Sequence, residues 1–131
     1  MPEDDALRAA NVAYYRAFAL RDAEAMARIW AQEGVSCVHP GWPPIFGREA
    51  ILASYRDIFK NPFQEEIEAR AETLIRADND GRVVCLERVG EALLVATNWF
   101  RRIDSDWRLV HHQASPLSAG SAKAKTPSTR H

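Results

Sequence analysis

Ala96-Thr97-Asn98-Trp99-Phe100-Arg101-Arg102 and Trp107-Arg108-Leu109-Val110-His111-His112-Gln113-Ala114-Ser115-Pro116 lie either side of a short acidic turn, Asp104-Ser105-Asp106. Both flanks read as strands, so they pair as an antiparallel hairpin. That hairpin sets an amide, two histidines, a serine and two tryptophans among Val, Leu, Ala and Phe. Polar groups that bond or move protons, held among bulky apolar side chains, are what a ligand pocket is made of. A core with a few satisfied polar residues has the same composition, so the rest of the chain has to decide.

Upstream of the hairpin, more strands follow one another. Residues 65–77 are long and charge-interleaved, Asp78-Asn79-Asp80-Gly81 signals a turn, and Val83–Val89 leads through Gly90 into Ala92–Ile103. Before them the pattern is helical. Leu7, Ala10, Tyr14, Ala17 and Phe18 recur at three- and four-residue steps through residues 3–20. Asp22 is placed to cap a second helix that buries Ala23, Met26, Ala27 and Trp30 and ends at Gly34. Val35–His39 reads as a short strand, with Pro40 holding His39 extended. Gly41-Trp42-Pro43-Pro44 forms a stiff loop. Gly47 then opens a third helix with Ile51, Leu52, Tyr55, Ile58 and Phe59 on its apolar side, stopped by Asn61-Pro62. Helices first and a strand meander after them argue an α+β fold, with the helices on one face of a mostly antiparallel sheet. The folded domain spans 1–116. Residues 117–131 carry no large apolar side chain after Leu117 and read as a disordered tail.

Composition narrows the functional classes. A chain of 131 residues is long enough to bury a core without disulfides or metal. Seventeen basic against eighteen acidic residues give a formal charge of −1, too little field to attract nucleic acid or an anionic membrane. The N-terminus is acidic and lacks the apolar core of a signal peptide, and no apolar run approaches a bilayer span, so the expected location is the cytoplasm. Cys37 and Cys85 sit in apolar strand-like runs and read as buried, reduced thiols rather than a disulfide. No glycine motif for a nucleotide is present, and no cofactor is expected.

Three groups of residues together resemble the SnoaL-like branch of the nuclear transport factor 2-like (cystatin-like) superfamily. They are Tyr14-Tyr15…Phe18…Asp22…Trp30; His39-Pro40-Gly41-Trp42 with Gly47-Arg48-Glu49-Ala50-Ile51; and Ala96-Thr97-Asn98-Trp99-Phe100…Trp107…His111-His112…Ser115-Pro116. The resemblance implies a curved sheet wrapped over three helices, a conical apolar cavity, and a homodimer packed through the outer sheet face. It does not imply one chemistry, because the superfamily holds isomerases, dehydratases, cyclases, a hydrolase and association modules.

By comparison with ketosteroid isomerase, Tyr14 falls where that enzyme has an oxyanion-binding tyrosine. His39 takes the place of its general-base aspartate, and Asn98 that of its second oxyanion donor. A histidine can still carry a proton near neutrality. An amide donates the same hydrogen bond with a weaker acid. His111 and His112 are adjacent on a strand and point to opposite faces. A three-residue turn pairs Asn98 with His112 and a two-residue turn pairs it with His111; the reading here is His112. Scytalone dehydratase uses a histidine pair, tyrosines and an asparagine in the same cone, which makes Tyr14, His39, Asn98 and His112 the expected catalytic set. Candidate ligand contacts around them are Trp30, Trp42, Tyr55, Phe59, Phe100 and His111, with Trp42 as a lip over the cavity.

The function expected is enolisation-type isomerase, cyclase or dehydratase chemistry on a small hydrophobic, oxygenated molecule. His39 is the base in that scheme, Tyr14 and Asn98 the oxyanion donors, and His112 a second acid. The alternative is a non-catalytic dimeric ligand-binding or association module, which the missing carboxylate base favours. A metal held by His39, one of His111/His112 and Glu87 is a third, more distant option.

Overall fold

The computed structural model describes residues 2–118, so the expected tail from residue 119 onward lies outside the described residues. Three helices and six strands follow in order: α1 (Pro2–Ala19), α2 (Ala23–Ile29), β1 (Ser36–Val38), β2 (Ile45–Phe46), α3 (Arg48–Lys60), β3 (Ile67–Ala77), β4 (Asp80–Val89), β5 (Ala92–Ile103) and β6 (Asp106–Pro116). The α+β class read from the sequence is the class found. No described helix is long and apolar enough to cross a membrane.

Local chemistry explains where the helices stop. The Asp22 carboxylate accepts from the Ala25 amide at 3.0 Å and caps α2. At the other end of α2, Arg48 donates to the carbonyls of Ala27 at 2.9 Å and Trp30 at 2.8 Å. A cation thereby satisfies orphan carbonyls at the negative end of the helix. Gly47 precedes α3 with φ 92°, a backbone that favours glycine. The inward stripe of α1 carries Leu7, Tyr14, Ala17 and Phe18 as expected, and also Asn11 and Tyr15.

The strands form one open sheet in the order β2-β1-β6-β5-β4-β3. Strands β3 to β6 are an antiparallel meander, and β1 joins it by running parallel to β6, with Cys37 opposite His112. This parallel pairing brings His39, just past β1, beside the β5–β6 hairpin. The sheet is curved, and two bulges contribute to that shape. One, in β3, holds Ala71 at φ 58° between Arg70 and Thr73. The other lies between the Trp99–His111 and Phe100–Leu109 pairs.

That second bulge settles which histidine faces inward. The β5–β6 turn is the two-residue kind, Asp104 and Ser105, both at positive φ. Such a turn alone sets Asn98 against His111. Val110 is an extra residue in β6, and it moves the register so that Asn98 pairs with His112. The β3–β4 turn is likewise tighter than the sequence signal, since Asp80 and Gly81 already belong to β4. Gly81 has a packing task there. A Cβ on it would lie 2.8 Å from the Leu7 side chain, so a larger residue would hold α1 off the sheet.

Candidate functional site

The concave side of the sheet and the inner faces of α1 and α3 enclose a cavity of about 410 Å³. Its wall is mostly apolar, with Phe18, Ile67, Val89 and Leu94 among the contributors. Tyr14, His39, Glu87 and His112 interrupt that wall, and Trp42 lies at the same cavity. All four interrupting residues are buried.

His112 is the most firmly held. The Asn98 amide nitrogen donates to Asn11 Oδ1 at 2.8 Å and to the Tyr15 hydroxyl at 3.0 Å. Its oxygen is left to accept, and His112 Nδ1 lies 2.5 Å from it. The proton of His112 is therefore on Nδ1, and Nε2 keeps a bare lone pair. No described residue bonds that Nε2. The Tyr15 hydroxyl passes its own proton on to Glu87 Oε2 at 2.6 Å. Glu87, Tyr15, Asn98 and His112 thus form one buried chain, which fixes the ring plane and tautomer of the last member.

His39 is held from the opposite side. Ser54 on α3 donates its hydroxyl proton to the Ile51 carbonyl at 2.6 Å, so it accepts from His39 Nε2 at 2.9 Å. The bare nitrogen of this ring is Nδ1, 3.9 Å from the Cys37 sulfur. The two imidazole centroids are 6.2 Å apart, and Trp42 packs edge-on against His39 at 4.9 Å. Burial disfavours the charged form of both rings. It lowers the pKa of His39 to about 4 and that of His112 to about 3, so both are neutral at pH 7.

Tyr14 packs on His112 with centroids 5.0 Å apart, and its hydroxyl lies 2.6 Å from that of Tyr55. When Tyr55 donates in this pair, the Tyr14 proton is free for a ligand oxygen. Burial raises the pKa of Tyr14 and Tyr55 well above the ordinary value, so both stay protonated donors. It also raises Cys37 to about 12 and Cys85 to about 11, leaving two inert thiols. The pKa of Glu87 is raised by burial, with the Tyr15 hydrogen bond opposing the shift.

The sequence-derived set is brought together in part. Tyr14, His39 and His112 share the cavity, and Trp42 lines it. Asn98 does not. It is fully buried behind His112 with both N–H groups spent, so it orients a histidine and has no proton left for an oxyanion. Tyr55 and Phe59 pack behind the wall against Phe18. Trp30 is buried against Tyr55 on the far side, and Phe100 is wholly in the core. His111 is on the outer face, bonded to Ser36 at 2.6 Å and Gln113 at 3.0 Å. Trp30, Phe100 and His111 therefore drop out as ligand contacts, because the pleat and packing turn them elsewhere. No group of three or more His, Cys, Asp or Glu side chains among the described residues is arranged for a metal ion. Nothing in the sequence marked Asn11 or Ser54, Tyr15 stood there only as a weaker candidate beside Tyr14, and Glu87 only as a metal ligand. Glu87 had a signal: it is the one charge in the inward series Val83, Cys85, Glu87, Val89.

A model of the SnoaL-like domain matches residues 7–119. The chain belongs to the SnoaL-like domain family. Its fold is shared with solved structures, among them the following two at more than 30% sequence identity. One, from Streptomyces avermitilis, is described as a "putative dehydratase from the NTF2-like family"; it is 31% identical over 90% of this chain and 98% of its own, with a TM-score of 0.79. Another, from Thiobacillus denitrificans, is described as a "putative calcium/calmodulin-dependent protein kinase type II association domain". It is 33% identical over 85% of this chain and 94% of its own, with a TM-score of 0.74. An uncharacterised cystatin-like protein from Caulobacter vibrioides shares the fold at 18% identity, covering 98% of both chains with a TM-score of 0.78. Comparison with curated proteins gives no match. Two relatives of this SnoaL-like protein at equal distance thus carry unrelated descriptions, and the chemistry must be argued from its own side chains.

Proposed function

We propose that this SnoaL-like protein binds a small, largely apolar, oxygen-bearing molecule in the cavity and moves a proton on it. The observation that carries this reading is His112. A neutral imidazole, locked in one tautomer by the Asn98–Tyr15–Glu87 chain, turns its bare Nε2 to an apolar cavity. The cavity volume of about 410 Å³ suits a molecule of two or three fused rings.

The reaction is enolisation. Nε2 of His112 takes a proton from the carbon beside a carbonyl, the C–H electron pair forms the C=C bond, and the carbonyl oxygen becomes the enolate. Tyr14 donates a hydrogen bond to that oxygen where its charge develops. The proton returns from His112, or through His39, to a different carbon (isomerisation), or it goes to a leaving hydroxyl (dehydration). His112 replaces His39 as the base, because the bare Nδ1 of His39 lies 3.9 Å from the Cys37 sulfur, whereas no described residue bonds Nε2 of His112.

Solvent deuterium exchange at the α-carbons of 2-tetralone, followed by proton NMR in D2O, tests this directly. Catalysed exchange that is lost in His112→Ala is the expected result. Binding of 2-naphthol, an enol mimic, with no catalysed exchange would leave the second reading, a ligand-binding or association module. The likeness to the Thiobacillus protein supports that alternative.

We further propose that two copies pair through the outer sheet face, in the reducing cytoplasm that keeps Cys37 and Cys85 as free thiols. Val84, Leu86 and Val95 alternate onto that face, and Trp99 and Ile75 there remain 38% and 41% exposed. An apolar sheet face of this kind favours association with a second copy.

A further inference from the structure

The proton-moving groups leave one buried acid with an unused oxygen. Glu87 is 2% exposed and lines the cavity from β4. Its Oε2 accepts from Tyr15 at 2.6 Å, while no described residue bonds Oε1 or forms an ion pair with the carboxylate. The surrounding wall offers no counter-charge. Its near neighbours in the lining are Ile67, Val89 and Leu94; among the described residues Asp57 is the only other formally charged one in the lining, and no Arg or Lys lines the cavity.

Two other acids that face neighbouring elements are paired. Glu72 is paired with Arg8 at 3.4 Å, and Asp4 with Arg76 at 3.2 Å. A carboxylate withdrawn from water without such a partner either takes up a proton, the direction in which burial moves Glu87, or stays ionised where a ligand supplies the cation and the missing hydrogen bond. Retaining one beside an apolar cavity makes sense when the ligand brings both.

We propose that Glu87 is a specificity-determining residue, and that the ligand is an apolar ring system bearing a protonated amine, which docks on Glu87 Oε1. This deepens the functional reading above and rests on it. The oxygen of the same ligand meets Tyr14 and His112, and the ammonium is placed at the β4 wall. Anionic ligands are selected against twice, by Asp57 on α3 and by Glu87 within.

Three probes of one shape test the assignment by calorimetry on the full chain at pH 7: 2-naphthylmethylamine, 2-naphthalenemethanol and 2-naphthoate. The ammonium is expected to bind roughly 10- to 100-fold more tightly than the alcohol, the worth of a charge-assisted hydrogen bond, with naphthoate weakest. Glu87→Gln keeps the shape and removes the charge, and it should close the gap between amine and alcohol. An alcohol or naphthoate that binds wild-type protein as tightly as the amine overturns the inference. So does a Glu87→Gln protein, folded by circular dichroism, that keeps the gap. If that variant fails to fold, the wild-type series still decides, because its ranking alone reports the sign of the wall. Binding of 2-naphthol with no preference for the amine sinks this inference only. Failure of naphthol and all three probes to bind takes the pocket reading down with it.

Discussion

His111 and His112 share a strand and a composition, yet the two faces of the β5–β6 hairpin give them different chemistry. On the inner face, His112 sits with Asn98, Phe100 and Leu109, every one of them almost wholly buried. Its single protein partner is an amide whose other bonds run on to Tyr15 and Asn11. On the outer face, His111 is half-buried beside exposed Trp99 and bonds Ser36 and Gln113 at the surface. One residue of offset along a strand therefore separates a ring with one nitrogen committed and one bare from a ring with both engaged. The difference teaches that the pleat assigns function here, and residue type only permits it.

The strongest way to break the inner face is to remove its hub. Asn98→Ala strands Asn11 Oδ1 and His112 Nδ1 in the core and takes from the Tyr15 hydroxyl the donor it accepts, leaving Tyr15 its bond to Glu87. We expect a loss of about 3 kcal/mol in urea unfolding, together with lost tetralone exchange. His112→Ala should leave the protein folded and lower catalysed exchange by about 100-fold or more, the usual worth of a positioned base. Exchange that survives either change at the wild-type rate would mean that the inner face is scaffold only.

Acid separates the faces next. Above about pH 6.5, His39 and His112 are neutral in both the folded and the unfolded chain and impose no cost. Below it, the unfolded chain takes protons that the native rings refuse until about pH 4 for His39 and about pH 3 for His112. Stability must therefore fall as pH drops through this window. The urea midpoint should decline between pH 7.5 and 5, and the decline should shrink in His112→Ala. For the same reason, catalysed exchange should stay level from pH 8 to pH 5, where an ordinary histidine base would already be failing.

Changes on the outer face should move association rather than chemistry. On the pairing proposed above, wild-type protein should elute as a dimer in size-exclusion chromatography and Val95→Glu should shift it toward monomer, with the fold kept. His111→Ala is the mildest case, expected to change stability by less than about 1 kcal/mol and exchange by less than about twofold. If His111→Ala costs as much as His112→Ala, the contrast between the faces is wrong.

Much of this architecture could be read from the chain. Three-and-four spacing in α1, the Asp22 cap and turn residues between alternating runs specify helices followed by a meander, because each is a local preference. Of the site, Tyr14 was legible as inward-facing from the helical stripe, whereas Pro40 marked His39 only as extended and its place in the cone came from the family resemblance. Asn98 was legible as buried but not in its task, since its partners Asn11 and Tyr15 lie more than eighty residues away. Ser54 carried no signal, because a serine on a helix looks the same whether or not a histidine leans on it. The short strand β2 was missed for a similar reason. Two residues hold no periodicity, and pairing with β1 alone defines them.

The sequence by itself determined the class of fold, the order of its elements and the supply of proton-handling side chains, all of which follow from near-neighbour chemistry. Tertiary structure decided which of those side chains meet. The bulge at Val110 turned His112 inward despite a two-residue turn, and parallel pairing of β1 with β6 brought His39 to within 6.2 Å of it. Burial then made both rings neutral, and no described residue forms an ion pair with Glu87. Register, distant contacts and desolvation belong to the assembled sheet, and no local stretch of the chain encodes them.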